Sequence, residues 1–289
     1  MTAAGDISLF FFVKCLEVTE INLIFAPVKP APRQRSISNL TYCHFMQYFI
    51  SEDRSFEFVV TEDITKDFGL HNHTEHYVIS YITKGEAMLL YNNVSVILKK
   101  GDTFIVRPYM PHSVKVEADS QILSLCINKE WFYSESANEI SQKVSAKFDE
   151  ISAENGFDNR IKSELIDAIG LIAESIGDER YKLSEDIQRV ADKIAQKSSD
   201  IYLLDQLSED VYISKYHLIR KFKSKIGLTP HQLMIQVRVR KAQKELALGG
   251  RLIDAALDNG FYDSSHFDKC FRKIVGISPS EYQRKIHDI

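Results

Sequence analysis

A segment of 17 residues in this chain occurs twice, with its two copies 49 residues apart. The first copy begins at Ser214 and reads SKYHLIRKFKSKIGLTP, and the second begins at Asp263 and reads DSSHFDKCFRKIVGISP. Four matched positions are identical: His217 and His266, Phe222 and Phe271, Gly227 and Gly276, Pro230 and Pro279. A repeat of this length indicates that one supersecondary unit was built twice, which restricts the fold of the C-terminal part of the chain.

Each copy predicts the second helix of a helix-turn-helix. Ser214 and Asp263 are suited to cap the first turn, because their side-chain oxygens accept backbone N–H groups. Gly227 and Gly276 predict the helix ends, and the prolines three residues later prevent continuation. The residues predicted for the buried face recur at helical spacing: His217, Leu218, Phe222 and Ile226 in the first copy, and His266, Phe267, Phe271 and Val275 in the second.

A shorter helix is predicted before each copy. Its apolar face is Leu203, Leu204 and Leu207 in the first unit, and Leu252, Ile253, Ala256 and Leu257 in the second. Asn259-Gly260 provides a turn that tolerates positive φ. The chain therefore contains two predicted helix-turn-helix units.

The face opposite the predicted core is basic. The candidate DNA-binding residues are Tyr216, Ile219, Arg220 and Lys223 in the first unit, and Ser264, Ser265, Lys269 and Arg272 in the second. The first of these helices contains five lysines and arginines and no acidic residue. A helix fits the major groove of DNA, where arginine pairs with a guanine edge and other cations lie near phosphates. A solvated basic face on an ordinary bundle is the alternative, and the matched register of two copies argues against it.

Residues 185–285 resemble the DNA-binding domain of AraC/XylS-type transcription regulators. The resemblance is carried by Lys241, Ile253, Ala256, Gly260-Phe261, Ser264, Phe267, Phe271, Gly276, Ser278-Pro279 and Tyr282. It implies seven helices, with two helix-turn-helix units joined by a long helix at His231–Leu248. By the same resemblance, Tyr216, Ile219 and Arg220, together with Ser264, Ser265 and Lys269, contact double-stranded DNA. Asp268 departs from a purely cationic face.

Charge is divided unevenly between the two halves of the chain. Residues 178–289 carry 20 lysines and arginines against 16 acidic residues, whereas residues 1–177 carry 16 against 24. A basic half and an acidic half suit a protein of which one end meets nucleic acid. The four cysteines are scattered without a CxxC spacing, which favours a reducing compartment, and no apolar run is long enough for a membrane span. A cytoplasmic protein is expected.

Between residues 56 and 127 the pattern alternates with a period of two. The predicted strands are Phe56–Val60, His76–Ile82, Glu86–Tyr91, Val94–Leu98, Thr103–Arg107, Ser113–Val116 and Gln121–Ile127, with turns that include Asn92-Asn93. Seven short strands at this spacing predict a small β-barrel or jelly roll. The order of His71-Asn-His73, Gly85, Gly101-Asp102, Pro108 and Pro111-His112 resembles the cupin-type sensor domain of many AraC-type regulators.

Three histidines in this region are of the type that metal-dependent cupins use. His71 and His73 share one face of a strand, and His112 follows later, so a metal site is geometrically possible. Such enzymes add a glutamate four or five positions after the second histidine, where this chain has Tyr77 and Val78. We therefore predict no metal or other cofactor, and favour a pocket for a small-molecule effector formed by His73, Tyr81, Arg107 and His112. Plain polar packing in the barrel is the remaining interpretation.

The rest of the chain yields the domain boundaries. Residues 1–50 are an N-terminal extension, in which Ile7–Val13 suggests a strand, Lys29–Arg35 a linker, and Met46 an alternative start. Residues 51–130 form the cupin-like barrel, and residues 131–178 a helical linker that ends in a hinge at Ile176-Gly177-Asp178. Residues 179–289 form the DNA-binding domain. Two amphipathic helices in the linker region either join two copies of the chain in a homodimer or cover the barrel.

The fold class predicted is therefore α+β multidomain, with a cupin-like barrel, a helical linker and an all-α domain with two helix-turn-helix units. The predicted function is sequence-specific transcription regulation that responds to an effector, with contact to RNA polymerase as the resemblance implies. The first alternative is a metal-dependent cupin enzyme fused to a DNA-binding domain. The second is a regulator whose barrel serves only for oligomerisation.

Overall fold

The computed structural model describes residues 45–91, 94–176, 183–196, 198 and 204–287. Several features predicted from the sequence lie outside these residues. They are the strand at Ile7–Val13, the linker at Lys29–Arg35, the turn Asn92-Asn93, the residues Gly177-Asp178 of the hinge, and Leu203.

The N-terminal domain contains two facing antiparallel sheets. The first has five strands in the order β1 (Phe45–Ile50), β2 (Phe56–Glu62), β9 (Gln121–Asn128), β4 (His76–Lys84) and β7 (Thr103–Val106). The second has four in the order β3 (Lys66–His71), β8 (His112–Val116), β5 (Glu86–Tyr91) and β6 (Val94–Lys99). This is the predicted cupin-like architecture.

The seven predicted strands are all present, and the sequence pattern missed two others. β1 lies within the segment assigned to the N-terminal extension, where it pairs with β2 along its whole length. β3 reads KDFGLH and is mostly exposed, so it shows no apolar alternation for a pattern to detect. The folded N-terminal domain therefore includes at least Phe45–Ile50, which the predicted boundary left out.

Three helices form a third layer on the outer face of the five-stranded sheet. They are α1 (Lys129–Ser134), α2 (Ala137–Asn155) and α3 (Asn159–Ser175). Their buried faces are the ones predicted: Ile140, Val144, Phe148 and Ile151 on α2, and Ile161, Leu165, Ile169 and Ile172 on α3, all in one core with strand residues such as Phe58 and Leu125. The inner faces of these helices thus cover the barrel within a single chain.

The C-terminal domain is all-α. Its described elements are seven helices, as the resemblance implied: α4 (Glu185–Gln196), α5 (Leu204–Glu209), α6 (Lys215–Ile226), α7 (Pro230–Ala247), α8 (Leu252–Asp258), α9 (Ser264–Val275) and α10 (Pro279–His287). α7 joins two helical units, and at 1.5 Å per residue its 18 residues span roughly 27 Å. No described helix is long and apolar enough to cross a membrane.

Candidate nucleic-acid interface and sensor cavity

The two recognition helices, α6 and α9, begin and end in the same way. Ser214 accepts a hydrogen bond from the backbone N–H of His217, and Asp263 accepts one from His266 at 2.7 Å. Each helix ends at a glycine in the left-handed region, with φ of 77° at Gly227 and 103° at Gly276. The helix boundaries predicted from the repeat are therefore confirmed.

The buried sides of these helices agree with the predictions except at the histidines. Leu218, Phe222 and Ile226 have no exposed surface, and Phe267, Phe271 and Val275 are buried in the same way. His217 and His266 are exposed, because each lies in the first helical turn beside the capping residue, to one side of the apolar stripe. The predicted apolar face of α8 was also wrong in part: Ile253 and Leu257 are more than half exposed, and Ala255 and Ala256 face the core.

The candidate DNA-binding residues of the first unit lie on the surface of α6. Tyr216 is 71% exposed, and the guanidinium of Arg220 lies 5.6 Å from the centre of its ring. Lys223 is exposed, and Ile219 is half-buried at the edge of the same face. A planar cation held beside an aromatic ring on an exposed helix is suited to pair with a base edge.

The candidates of the second unit are arranged similarly on α9. Ser264, Ser265 and Lys269 are exposed and line a shallow surface groove together with Leu252 and Ile253. Arg272 is also exposed, but its Nε donates to the Asp268 carboxylate at 2.7 Å. Asp268 therefore forms an ion pair along its own helix, four residues from its partner, and this accounts for the acidic residue in an otherwise cationic face.

Ion pairs divide the basic side chains of α6 into two groups. Lys215 pairs with Asp205, and Lys221 pairs with Asp186 on α4. Within the described part of the chain, Arg220 and Lys223 have no acidic partner within 4.0 Å. The two α6 cations on the predicted DNA-facing side are thus uncompensated, and Lys225 near the end of the helix also has no acidic partner among the described ion pairs.

α7 fixes the two helix-turn-helix units relative to each other. Arg238, in the middle of this helix, is buried and donates to the carbonyl of Ser198 at 2.6 Å and to that of Gly260 at 2.8 Å. The first carbonyl lies before the first helix-turn-helix unit, and the second lies in the turn of the second unit. One side chain thus links the segment before the first unit and the turn of the second unit to the joining helix, in addition to the packing around Val239 and Ala242.

The barrel encloses a cavity of about 130 Å³ that the C-terminal domain closes. The strands supply apolar walls, and Arg240 of α7 with Ile274 and Val275 of α9 completes the lining. The polar side chains that line this cavity are Tyr48, Glu57, Thr61, His71, His73, Ser80, His112, Ser124, Cys126 and Arg240. Burial raises the pKa of Glu57, and the nearby Arg240 guanidinium opposes that rise.

A second cavity of about 290 Å³ lies between the barrel and α7. Its lining includes His76, Glu75, Gln236, Lys244 and Arg54. Glu57, His73, Cys126 and Arg240 line both cavities, so the two spaces adjoin. A small molecule at this junction would contact both domains.

Two of the four predicted effector-binding residues lie in the barrel cavity and two do not. His73 and His112 line it. Tyr81 is packed in the core between the five-stranded sheet and α2 and α3, and the Arg107 guanidinium donates to Ser175 of α3 at 2.6 Å. Val78 and Ser80 line the cavity, and strand residues alternate between faces, so Tyr81 lies on the opposite side of the sheet.

Arg240 and Glu57 complete the cavity and were missed in the sequence. Arg240 comes from the other domain, and nothing in its local sequence indicates that it reaches into the barrel. Glu57 follows the predicted strand alternation, but a carboxylate on a strand is more often taken as solvent-facing.

The barrel contacts both recognition helices at positions that the repeat makes equivalent. The Asn72 side chain donates to the carbonyl of Ile226 at 3.0 Å, and the Tyr48 hydroxyl donates to the carbonyl of Val275 at 3.5 Å. The capping glycines pack beside these bonds: a Cβ at Gly227 would lie 2.1 Å from Pro111, and one at Gly276 would lie 3.0 Å from Met46. We call these two contacts the paired docking points.

Three histidines converge at one end of the barrel cavity. The ring centres of His71 and His112 are 4.2 Å apart, and that of His73 is 5.3 Å from each. His71 and His112 are direct cross-strand neighbours on β3 and β8. His76, the next histidine along the chain, lines the second cavity instead.

Two family descriptions match this chain. An AraC-like ligand binding domain matches residues 55–181, and a helix-turn-helix domain matches residues 207–285. The first region covers the barrel and the helices on its outer face, and the second covers both recognition helices. The two matched regions correspond to the N-terminal and the C-terminal domain of the structure.

Relatives match this chain over most of their length. The HTH-type transcriptional regulator YbfI of Bacillus subtilis is 30% identical over an alignment of 230 positions that covers 70% of this chain and 82% of YbfI. The transcriptional activator RhaR of Pectobacterium atrosepticum is 23% identical over 276 residues, covering 84% of this chain and 95% of RhaR.

Among solved structures, ToxT of Vibrio cholerae has the same fold. One crystal structure of ToxT matches with a TM-score of 0.55 and 14% identity, covering 81% of this chain and 99% of ToxT. A second, described as bound to an unsaturated fatty acid, matches with a TM-score of 0.50 and 14% identity over 81% and 97% of the two chains.

Proposed function

The chain belongs to the AraC family of transcription regulators, and on this premise we propose which of its residues read DNA and where its effector binds. It is a sequence-specific DNA-binding regulator whose N-terminal domain modulates its action through a small molecule. The residue assignment rests on one observation. α6 and α9 lie at equivalent positions of the repeat, and both expose polar and cationic side chains on corresponding faces.

In the proposed complex, α6 and α9 enter successive major grooves on one side of the DNA. Successive grooves are about 34 Å apart, and the 18-residue α7 that joins the two units is roughly 27 Å long. Tyr216, Ile219, Arg220 and Lys223 contact the first site, and Ser264, Ser265, Lys269 and Arg272 contact the second. Arg220 is assigned to a base edge and Lys223 to a phosphate, because only the planar guanidinium can form two parallel hydrogen bonds to guanine.

The proposed effector site is the junction of the two adjoining cavities. His73 and His112 contact the effector from the barrel, and Arg240 contacts it from α7. An effector that fits these cavities differently in the docked and undocked arrangements of the domains shifts the balance between them. Fatty acid binding by ToxT supports a site of this kind for a small molecule in a related fold.

Two further partners are proposed. The outer face of α3, where Leu171 is 42% exposed, is the surface we assign to contact with a second copy of the chain in a homodimer. Contact with RNA polymerase is proposed for the DNA-bound form. Since its partner is genomic DNA, we place the protein in the bacterial cytoplasm.

A metal-dependent cupin enzyme fused to a DNA-binding domain is the second candidate, and the histidine cluster favours it. The named relatives are transcription regulators, which supports a non-enzymatic role. The two candidates differ in turnover: an enzyme would convert a substrate only in the presence of metal, whereas a sensor would bind its ligand unchanged.

The proposed function is tested by selecting DNA from a random duplex library with the purified full-length protein, alongside DNA from the region upstream of its own coding sequence. We expect one sequence to be enriched, with two conserved segments about one helical turn apart. Affinity for that sequence should exceed affinity for scrambled DNA by about 10³-fold or more at physiological salt. Equal, salt-sensitive binding to every sequence, with and without small molecules extracted from cells, would contradict sequence-specific reading.

A further inference from the structure

We propose that His71, His73 and His112 bind one divalent transition-metal cation, such as zinc, with an open coordination position that faces the barrel cavity. Within the described part of the chain, these residues are the one group of three or more histidine, cysteine or acidic side chains close enough to share an ion. The candidate ligand atoms all lie within 4.8 Å of one another. Three protein ligands with an open position are typical of zinc sites that accept an exogenous ligand.

Backbone carbonyl groups fix the orientation of two of the imidazole rings. Nδ1 of His71 lies 2.7 Å from the carbonyl oxygen of Gly69, and Nδ1 of His112 lies 3.0 Å from that of Met110. A carbonyl oxygen only accepts hydrogen bonds, so Nδ1 carries the proton in both rings. In a neutral imidazole the other nitrogen, Nε2, is then unprotonated and has a free lone pair. Metal-binding histidines generally have this second hydrogen bond.

Burial lowers the pKa of all three rings below the ordinary value of histidine. Burial therefore favours the neutral imidazole, which is the form that binds metal.

The strand geometry supports convergence on one ion. His71 and His112 face each other across β3 and β8, while His73 follows two residues after His71 where β3 has ended. Metal–nitrogen distances of about 2.0–2.1 Å need only small side-chain rotations from such an arrangement. Imidazole ligands suit zinc, copper, iron and nickel, and exclude a preference for calcium or magnesium.

The other charged groups of the cavity indicate what completes the site. Three neutral imidazoles do not compensate the two positive charges of the cation, and the Arg240 guanidinium adds a third positive charge to the cavity. Glu57 is the one acidic side chain in the lining of this cavity. The open position is therefore suited to an anionic oxygen ligand, such as hydroxide or a carboxylate.

The alternative is that the three rings are only packed together as neutral side chains. Direct metal titration separates the two possibilities and involves no DNA, so its failure would leave the DNA-reading proposal intact. Purified full-length protein is stripped with a chelator, dialysed and titrated with Co²⁺, which shows visible d–d absorption when nitrogen ligands bind it. Competition with Zn²⁺ then gives the zinc affinity. We expect one Co²⁺ per chain, displaced by one Zn²⁺.

The variants His73→Gln and His112→Gln test the ligands, and His76→Gln is the matched control, because His76 is half-buried nearby but lies outside the cluster. Removing a hydrogen-bond partner of a metal ligand commonly costs about 10–100-fold in affinity, so loss of a ligand itself should weaken Zn²⁺ binding by more than about 100-fold. His76→Gln should bind as the wild type does. Circular dichroism establishes that each variant is folded.

A wild-type protein that takes up neither cation overturns the proposal, and this result does not depend on any variant. Stoichiometric binding that persists in both His73→Gln and His112→Gln also overturns it, since the ion would then be held elsewhere on the surface.

Discussion

Replacing Arg220 with alanine should weaken binding to the specific DNA sequence without lowering the stability of the protein. Arg220 is exposed on α6 and, within the described residues, has no acidic partner within 4.0 Å. Its one close contact is the Tyr216 ring, a cation–π interaction of about 0.5–1 kcal/mol at an exposed site. A bidentate arginine–guanine pair discriminates by about 1–3 kcal/mol, so Arg220→Ala should weaken specific binding roughly 5- to 150-fold.

Lys221→Ala is the matched control for this experiment. Lys221 is the next residue of the same helix and carries the same charge, but it faces α4 and pairs with Asp186. An ion pair of this kind contributes about 0–1 kcal/mol to stability. Lys221→Ala should therefore cost a little stability and leave DNA affinity nearly unchanged.

Fluorescence anisotropy with the selected DNA sequence, across a salt series, measures both variants. If Arg220 reads a base, Arg220→Ala lowers specific affinity while the affinity for scrambled DNA changes little. If Arg220 contacts a phosphate, all sequences weaken alike and the slope of log K against log salt falls by about one. The assignment of α6 as the recognition helix is refuted if Lys221→Ala weakens binding as much as Arg220→Ala does, or if neither changes it.

Two further predictions concern the contact between the domains. Asn72→Ala leaves the Ile226 carbonyl and the Gln236 amide without their buried partner, at about 1–3 kcal/mol for each unsatisfied group, so the melting temperature should fall by several degrees; an unchanged value would contradict a closed interface. Arg240→Ala should destabilise the protein more at alkaline than at acidic pH. Burial raises the pKa of Glu57, so the free energy of unfolding decreases as pH rises from the unfolded-state pKa through the raised pKa of the folded state. The Arg240 cation opposes the rise in pKa, so its removal makes this decrease larger. Denaturant unfolding at several pH values measures the free energy of unfolding of the variant and the wild type. A difference between them that does not change with pH would contradict this reasoning.

The helix-turn-helix domain was largely predictable because its determinants are local. Caps, capping glycines and apolar spacing act within a few residues, and the repeat shows each of them twice. The exceptions have two causes: His217 lies in the first turn of the 12-residue α6, to one side of the apolar stripe, whereas α8 is a short helix of seven residues. Over one or two turns, several helical phases fit the same residues, and only tertiary packing selects Ala255 and Ala256 rather than Ile253 and Leu257 for the core.

The cavity was only partly predictable, and the reason lies in β-strand geometry. A strand pattern shows which residues share a face but not which of two buried faces encloses the cavity. β4 is buried on both sides, so Tyr81, which faces the helical layer, and Ser80, which faces the cavity, look equally inward in the sequence. Arg240 could not be found in this way, since its place in the cavity depends on how the two domains pack against each other.

The paired docking points have a consequence for gene regulation. The barrel contacts both recognition helices at equivalent positions, and Arg238 holds the turn of the second unit to α7. We therefore expect the DNA-reading domain to move as one body if the barrel releases it, with the spacing between the two helices unchanged. A signal molecule would then change how many protein molecules are competent to bind, and not which sequence they prefer. Strong and weak promoters under this regulator should respond to the signal with the same relative induction curve, differing only in their maximal occupancy.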